Sequence, residues 1–234
     1  MKEYLINGKQ FRLNLFEKIE NKEQAYLIGY LTGDGGFNPP THKRLARLYV
    51  SSNNESIIQG FKEEFCPDSI ISSKIPVNNS ENYNIVSNKL SYVLNFSSKF
   101  SETFNKFGVL GIKKNRTLVN ISKKFMRQYI LGLFDADGHI SFGFRKDRNR
   151  LWGNFGITHQ SYDVLSKVQK FLNEELNIAS SILTRKDEDC MDLKFSKLDS
   201  VVKVLDWLYE DTPNVYNEIK YQHFLKFKKA HSEK

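Results

Sequence analysis

One stretch of this chain occurs twice, and the rest has to be arranged around the pair. The first copy is AYLIGYLTGDGGF at 25–37 and the second is YILGLFDADGHI at 129–140. With Leu27 laid on Ile130 the copies match in kind, and Asp34 falls on Asp137, Gly35 on Gly138. Each reads as an apolar helix that stops abruptly at Asp-Gly. Gly35 and Gly138 are the expected stops, because only glycine enters the left-handed conformation cheaply at a helix end. Gly29 and Gly33 are four apart, as are Gly132 and Ala136, so each pair shares a helical face. A glycine inside a helix costs roughly 0.5–1 kcal/mol relative to alanine. Close approach of a second backbone would offset that cost, and the simplest partner for one small-faced helix is the other.

The acids point the same way. A carboxylate at a helix C-terminus faces the negative end of the dipole, which is the unfavourable end. Here that happens twice in matching positions. Once the helices pack, Asp34 and Asp137 approach each other and each raises the other's pKa unless a cation lies between them. A single Asp-Gly turn is an ordinary structural feature. Paired acids at two helix ends are best explained by a divalent metal held by oxygen ligands.

These segments resemble the two motifs of the LAGLIDADG homing endonucleases in their single-chain, two-repeat form. The match covers 27–35 and 130–138. The second copy is close to the consensus. The first departs from it at Ile28, Thr32 and Gly33, but the later acid is present in both copies. The resemblance implies site-specific cleavage of both strands of DNA, with Asp34 and Asp137 catalytic. It implies metal ligands at Asp34 and Asp137 and at the preceding backbone carbonyls, those of Gly33 and Ala136. Mg2+ is the expected ion, with Mn2+ or Ca2+ able to occupy the same place.

Composition fits a polyanionic partner. The formal net charge is +8 and the pI about 9.3. No basic amphipathic helix or lipidation signal appears, so nucleic acid is favoured over a membrane surface. Cys66 and Cys190 are the only cysteines, and their separation fits neither a disulfide framework nor a zinc module. The first residues contain no long apolar run, so an intracellular protein is expected. The run at 25–31 falls far short of the roughly 20 residues that a membrane span needs.

The elements around the motifs also repeat. The stretch at 1–20 reads as a short strand or arm, and Asn21 with Gln24 forms a capping-box pattern. A hairpin is predicted over 37–50, a helix over 54–65, strands near 69–75 and 91–96, and a helix near 99–107. Residues 108–121 form a basic connector, and Ser122 is the expected cap of the second motif helix. A hairpin over 139–158, a helix over 163–176, strands at 182–186 and 192–196, and helices near 198–208 and 215–229 complete the chain. Val50-Ser-Ser-Asn-Asn-Glu-Ser-Ile-Ile58 matches Ile157-Thr-His-Gln-Ser-Tyr-Asp-Val-Leu165, so the duplication extends beyond the motifs.

The expected fold is α+β: one domain over 1–234 made of two pseudo-symmetric αββαββα repeats, about 21–107 and 122–229. Packed along the motif helices, each repeat contributes an antiparallel sheet with one face on helices and one free. By the resemblance, the free faces form a DNA-binding saddle, and the chain acts as a monomer on a long asymmetric site.

Other site residues follow with less specificity. Ser52 and His159 hold matching places at strand ends, where the family often has a polar residue touching the water network. His139 lies two residues past Asp137. A neutral histidine accepts a proton, but a purely structural role fits both rings equally. A basic group near the acids is expected from among Lys113, Lys114, Arg116 and Lys194. DNA contacts are assigned to Lys43, Arg44, Arg47, Lys74 and Lys89 in the first half. In the second they fall to Arg145, Lys146, Arg148, Arg150, Arg185 and Lys186. Two alternatives stay open: an RNA-binding maturase that holds its own intron RNA, and a non-catalytic DNA-binding regulator. The two intact acids argue against the regulator, and nothing in the sequence separates the other readings.

Overall fold

The computed structural model describes residues 4–6, 8–11, 18–38, 42, 47–75, 90–97, 100–118, 121–185 and 189–233. A small hairpin, β1 (Tyr4–Ile6) and β2 (Lys9–Phe11), turns at Gly8, whose φ of +75° favours glycine. The first motif helix, α1 (Lys22–Asp34), starts at Asn21, whose side chain accepts from the Gln24 amide at 2.9 Å. The Gln24 side chain reaches back to the Glu20 amide at 2.7 Å, one residue earlier than a capping box has it. The first half continues as β3 (Gly35–Asn38), β4 (Arg47–Ser52), α2 (Glu55–Phe65), β5 (Ile71–Lys74), β6 (Ser91–Phe96) and α3 (Ser101–Lys106). The second half repeats that order: α4 (Met126–Asp137), β7 (Gly138–Arg145), β8 (Arg150–His159), α5 (Tyr162–Leu176), β9 (Ser181–Thr184), β10 (Met191–Phe195) and α6 (Leu198–Tyr209). One further helix, α7 (Glu218–Ser232), follows.

The two αββαββα halves therefore form as expected, with sheet orders β3-β4-β6-β5 and β7-β8-β10-β9, all antiparallel. Alternation sets the faces. In β8, Leu151, Phe155, Ile157 and His159 are buried, while Trp152, Asn154 and Thr158 are half-exposed. The buried row packs on helices, with Phe155 stacked on Phe134 at 4.8 Å, and the other row forms the open face. In α2, Ile57, Ile58, Phe61 and Phe65 form the inward stripe; in α5, Val164, Leu165, Val168 and Leu172 do.

The motif helices form the central seam. Every residue from Gln24 to Gly33 is buried, as befits a helix enclosed on all sides. A Cβ on Gly29 would overlap the Tyr129 carbonyl oxygen, and one on Gly132 would overlap the Tyr26 carbonyl oxygen. The contact is reciprocal, as a pseudo-twofold axis between the helices requires. The small residues thus permit backbone approach that no side chain would.

Two expectations need correcting. Gly35 and Gly138 are extended, at φ −69° and −92°, not left-handed. Each helix passes directly into a strand, and a side chain there would strike the last turn, at the Leu31 carbonyl oxygen and the Phe134 ring respectively. Glycine is needed for space, not for φ. Ser122 does not cap α4; it precedes a 3-10 turn at Lys123–Phe125 and makes no capping hydrogen bond there. Among the described residues, no helix is long and apolar enough to cross a membrane.

Candidate active site

The helix-to-strand switch places both acids at the same end of the seam. The Asp137 carboxylate lies against Gly33, where an added Cβ would come within 3.1 Å of Oδ2. Lys113, from the connector, puts its Nζ 3.5 Å from Asp137 Oδ1 and 3.9 Å from Asp34 Oδ1. Of the four basic candidates, Lys113 is the one whose ammonium spans the acids. Lys114 is exposed, and Lys194 lies on the second sheet's open face opposite Gly156. Burial and the neighbouring Asp137 charge push the Asp34 carboxyl up to about 6, against the pull of Lys113, Lys220 and Arg116.

Two cations, Arg116 buried and Lys220 half-buried, relieve the helix ends that carry these acids. Arg116 Nη1 donates to Leu31 O at 3.0 Å and also to Thr32 O and, more weakly, Gly33 O at 3.4 Å, while Nη2 donates to Gly35 O at 2.6 Å. Lys220 Nζ donates to Phe134 O, Asp135 O and Gly138 O at 2.7–2.9 Å. Each motif helix thus has a positive group on its last carbonyls, where the dipole is negative. The two come from different segments, the connector and the tail helix. Sequence reasoning missed Lys220, because α7 lies outside the repeated order and no spacing ties it to the motif. Replacing Lys220 with methionine should lower stability by about 2–3 kcal/mol in urea unfolding, with Lys220→Arg recovering part of the loss.

The earlier motif positions also pair across the seam. Tyr26 Oη donates to Asp135 Oδ2 at 2.8 Å, and Tyr129 Oη donates to Thr32 Oγ1 at 3.3 Å. Asp135 further accepts from the Asn217 amide at 2.7 Å and is fully enclosed. It anchors the start of α7 and lines the same cavity as Asp34.

The three polar candidates separate. Ser52 lines a cavity of about 620 Å3 together with Asp34, and its Oγ accepts from Tyr30 Oη at 2.9 Å and from the Asn54 amide at 3.1 Å. His159 is buried. Its Nδ1 accepts from the Ser161 amide at 2.9 Å, so the neutral ring carries its proton on Nε2 and donates to Thr32 O at 3.0 Å. Burial holds its pKa below the ordinary histidine value. With both nitrogens engaged, His159 ties the two halves together. His139 projects onto the open face of the second sheet, across Gly156, near Asp192 and Arg185.

Of the proposed DNA contacts, Arg47, Lys74, Arg145, Lys146 and Arg150 are exposed. Arg145 and Arg150 face each other at the end of the β7–β8 hairpin. Arg47 Nε donates to Asn95 Oδ1 and lies 5.9 Å from the Tyr49 ring. Arg185 is held by Asp192, with Nε–Oδ2 at 2.8 Å. Lys43, Arg44, Lys89 and Lys186, and the Arg148 side chain, lie outside the described residues.

The donors fit a hard divalent cation. Two carboxylates share one ammonium, that of Lys113, and the Gly33 and Ala136 carbonyls adjoin them in sequence, with Gly33 O also accepting weakly from Arg116. An oxygen-only, doubly charged set suits Mg2+. Among the described residues, no group of three or more His, Cys, Asp or Glu offers a rival metal centre.

Residues 124–206 match a family model described as a LAGLIDADG-like domain. The chain is 37% identical over 76 residues to a Mycosarcoma maydis protein named probable intron-encoded DNA endonuclease 1. That match covers 30% of this chain, and the chain spans 28% of that relative's length. The solved structure of the LAGLIDADG meganuclease I-AabMI bound to uncleaved DNA is similar at a TM-score of 0.59 and 15% identity, over 92% of each chain. The N-terminal LAGLIDADG domain of DUF199/WhiA is similar at 0.50 and 13% identity, over 86% of this chain and 91% of that one.

Proposed function

We propose that this chain, whose residues 124–206 form a LAGLIDADG-like domain and whose fold is that of the LAGLIDADG meganucleases, is a site-specific DNA endonuclease cutting both strands of a long asymmetric duplex. The observation that carries this reading is the acid pair: Asp34 and Asp137 meet at the joined helix ends with Lys113 between them.

The chain's own groups divide the work. Asp34 and Asp137 each present a carboxylate at the seam, one toward each strand of a duplex centred on the pseudo-twofold axis. A divalent ion bound there, Mg2+ by the donor set, supplies charge neutralisation at the phosphate and activation of water. Lys113 offers a positive charge to a phosphate entering the cleft. Arg116 and Lys220 fix the helix ends so that the acids need no reorganisation when substrate arrives. The open sheet faces, with Arg47, Lys74, Arg145, Lys146, Arg150 and Arg185 at their strands and tips, supply phosphate and base contacts. Two acids in one chain make a monomer sufficient. The similarity to the Mycosarcoma maydis protein named probable intron-encoded DNA endonuclease 1 supports an intron-associated role.

The test is selection of cleavable sites from a randomised duplex library in the presence of Mg2+. The expected result is a long, non-palindromic consensus, because the two open faces differ in sequence. Affinity for the selected site should fall with salt at a slope near −0.9 per phosphate neutralised. No selected duplex, together with tight binding to a structured intron RNA, would move the assignment to a maturase.

A further inference from the structure

The tail helix α7 has no counterpart in the first half, where α3 leads into the connector. It is anchored from within: Phe224 and Phe227 are buried, and the His223 ring lies 4.9 Å from that of Phe142. Beside this anchor, Ile219, Gln222, His223 and Lys226 form an exposed stripe at helical spacing. The stripe faces the first residues of β7, Gly138 to Ile140, across a groove of about 530 Å3. β7 is the terminal strand of its sheet, so it presents an outer row of backbone groups along that groove.

The groove begins at the residue after Asp137. Ile219 lines it and also lines the cavity at Asp34, so the two spaces adjoin at this side chain, which is 72% exposed. Two lysines and one acid line the groove. Lys220 is committed to helix carbonyls, which leaves Lys226 as the groove's exposed lysine, while Glu218, bonded to Gln222 Nε2 at 2.6 Å, keeps its charge near the start of α7. A cation, strand-edge amides and an apolar ridge in sequence fit a sugar-phosphate backbone, whose anionic and apolar parts alternate in the same way.

We infer that the α7–β7 groove is a further track for duplex DNA: a strand held at the acid pair leaves the cleft along it, with Lys226 on a phosphate and Ile219 against a sugar. This rests on the endonuclease reading and adds a contact, on one half only, beyond the hairpin tips. The enzyme's grip should therefore extend further along the backbone on the second-half side.

The test uses the full-length chain and its selected duplex. The unaltered protein and Lys226→Ala are compared by salt-dependent binding and by ethylation interference at each phosphate. Lys226 is exposed, so the variant should keep the same circular dichroism and melting temperature. Lys226→Ala is expected to reduce the salt slope by about 0.9 and to abolish interference at phosphates just beyond the second-half cut, leaving the first-half pattern intact. Ile219→Ser should weaken binding without changing the slope. An unchanged slope and interference pattern in Lys226→Ala would overturn the inference while leaving the endonuclease reading in place. A slope change seen with structured RNA and not with duplex would overturn it in favour of an RNA groove. Failure of the unaltered chain to bind any duplex would overturn the endonuclease reading itself.

Discussion

Gly132→Val should leave a chain much less stable than the unaltered protein. The valine Cβ would overlap the Tyr26 carbonyl oxygen and crowd the Tyr30 amide nitrogen at 2.8 Å. These are backbone atoms inside a buried helix, so no rotamer change relieves the clash. Ordinary overpacking costs about 1–3 kcal/mol. Here the seam must open along its length, and the loss should be about 3 kcal/mol or more, a large share of the 5–15 kcal/mol typical of a domain. The checks are urea unfolding and yield of soluble protein. Gly29→Val should behave alike, because its Cβ meets the Tyr129 carbonyl in the mirrored contact. A normal melting temperature in either variant would mean that the motif helices do not join on these faces.

Removing an acid should have the opposite effect on stability and a larger one on chemistry. Asp34→Asn or Asp137→Asn should reduce double-strand cleavage at least about a thousandfold while binding of the selected duplex stays near normal. Full cleavage by either variant would remove that residue from the active site. Asp34→Asn should also stabilise the metal-free protein at neutral pH. The Asp34 carboxyl is raised to about 6 in the fold from an ordinary 3.8, so the native state holds its proton more tightly than the unfolded chain does. Its contribution is therefore most favourable below pH 4 and is lost as pH rises through 6. Amide replacement removes that loss, so the variant should gain on the unaltered protein between pH 4 and 6 and keep the gain above. The gain should be roughly 1 kcal/mol, since the side chain is 34% exposed and water screens it. Added Mg2+ should reverse the ranking by stabilising only the protein with both carboxylates. Melting temperatures across pH, with and without Mg2+, read both effects.

The sequence by itself determined the duplicated αββαββα order, the pairing of the motif helices through Gly29 and Gly132, and the acid at each helix end. Those features are local or periodic: apolar spacing writes a helix, alternation writes a strand, and small residues four apart write a close approach. It also narrowed the expected cation to Lys113, Lys114, Arg116 and Lys194 without choosing among them. Only the tertiary structure decided that Lys113 bridges the acids while Arg116 turns inward to the α1 carbonyls, because sequence spacing does not show that Lys113–Asn115 forms a 3-10 turn which Arg116 leaves in an extended conformation. It alone made Lys220 the matching group for α4, since that contact joins α7 to a helix end some eighty positions away. The partners of His159 were likewise set by packing. A histidine at a strand end is a base or a brace according to what its nitrogens meet, and here the Ser161 amide and the Thr32 carbonyl occupy both. Gly35 and Gly138 show the boundary most clearly. The sequence marked them as the places where the helices end, yet the reason is steric: the strand leaves at once, and only the folded path brings the preceding turn against the missing side chain.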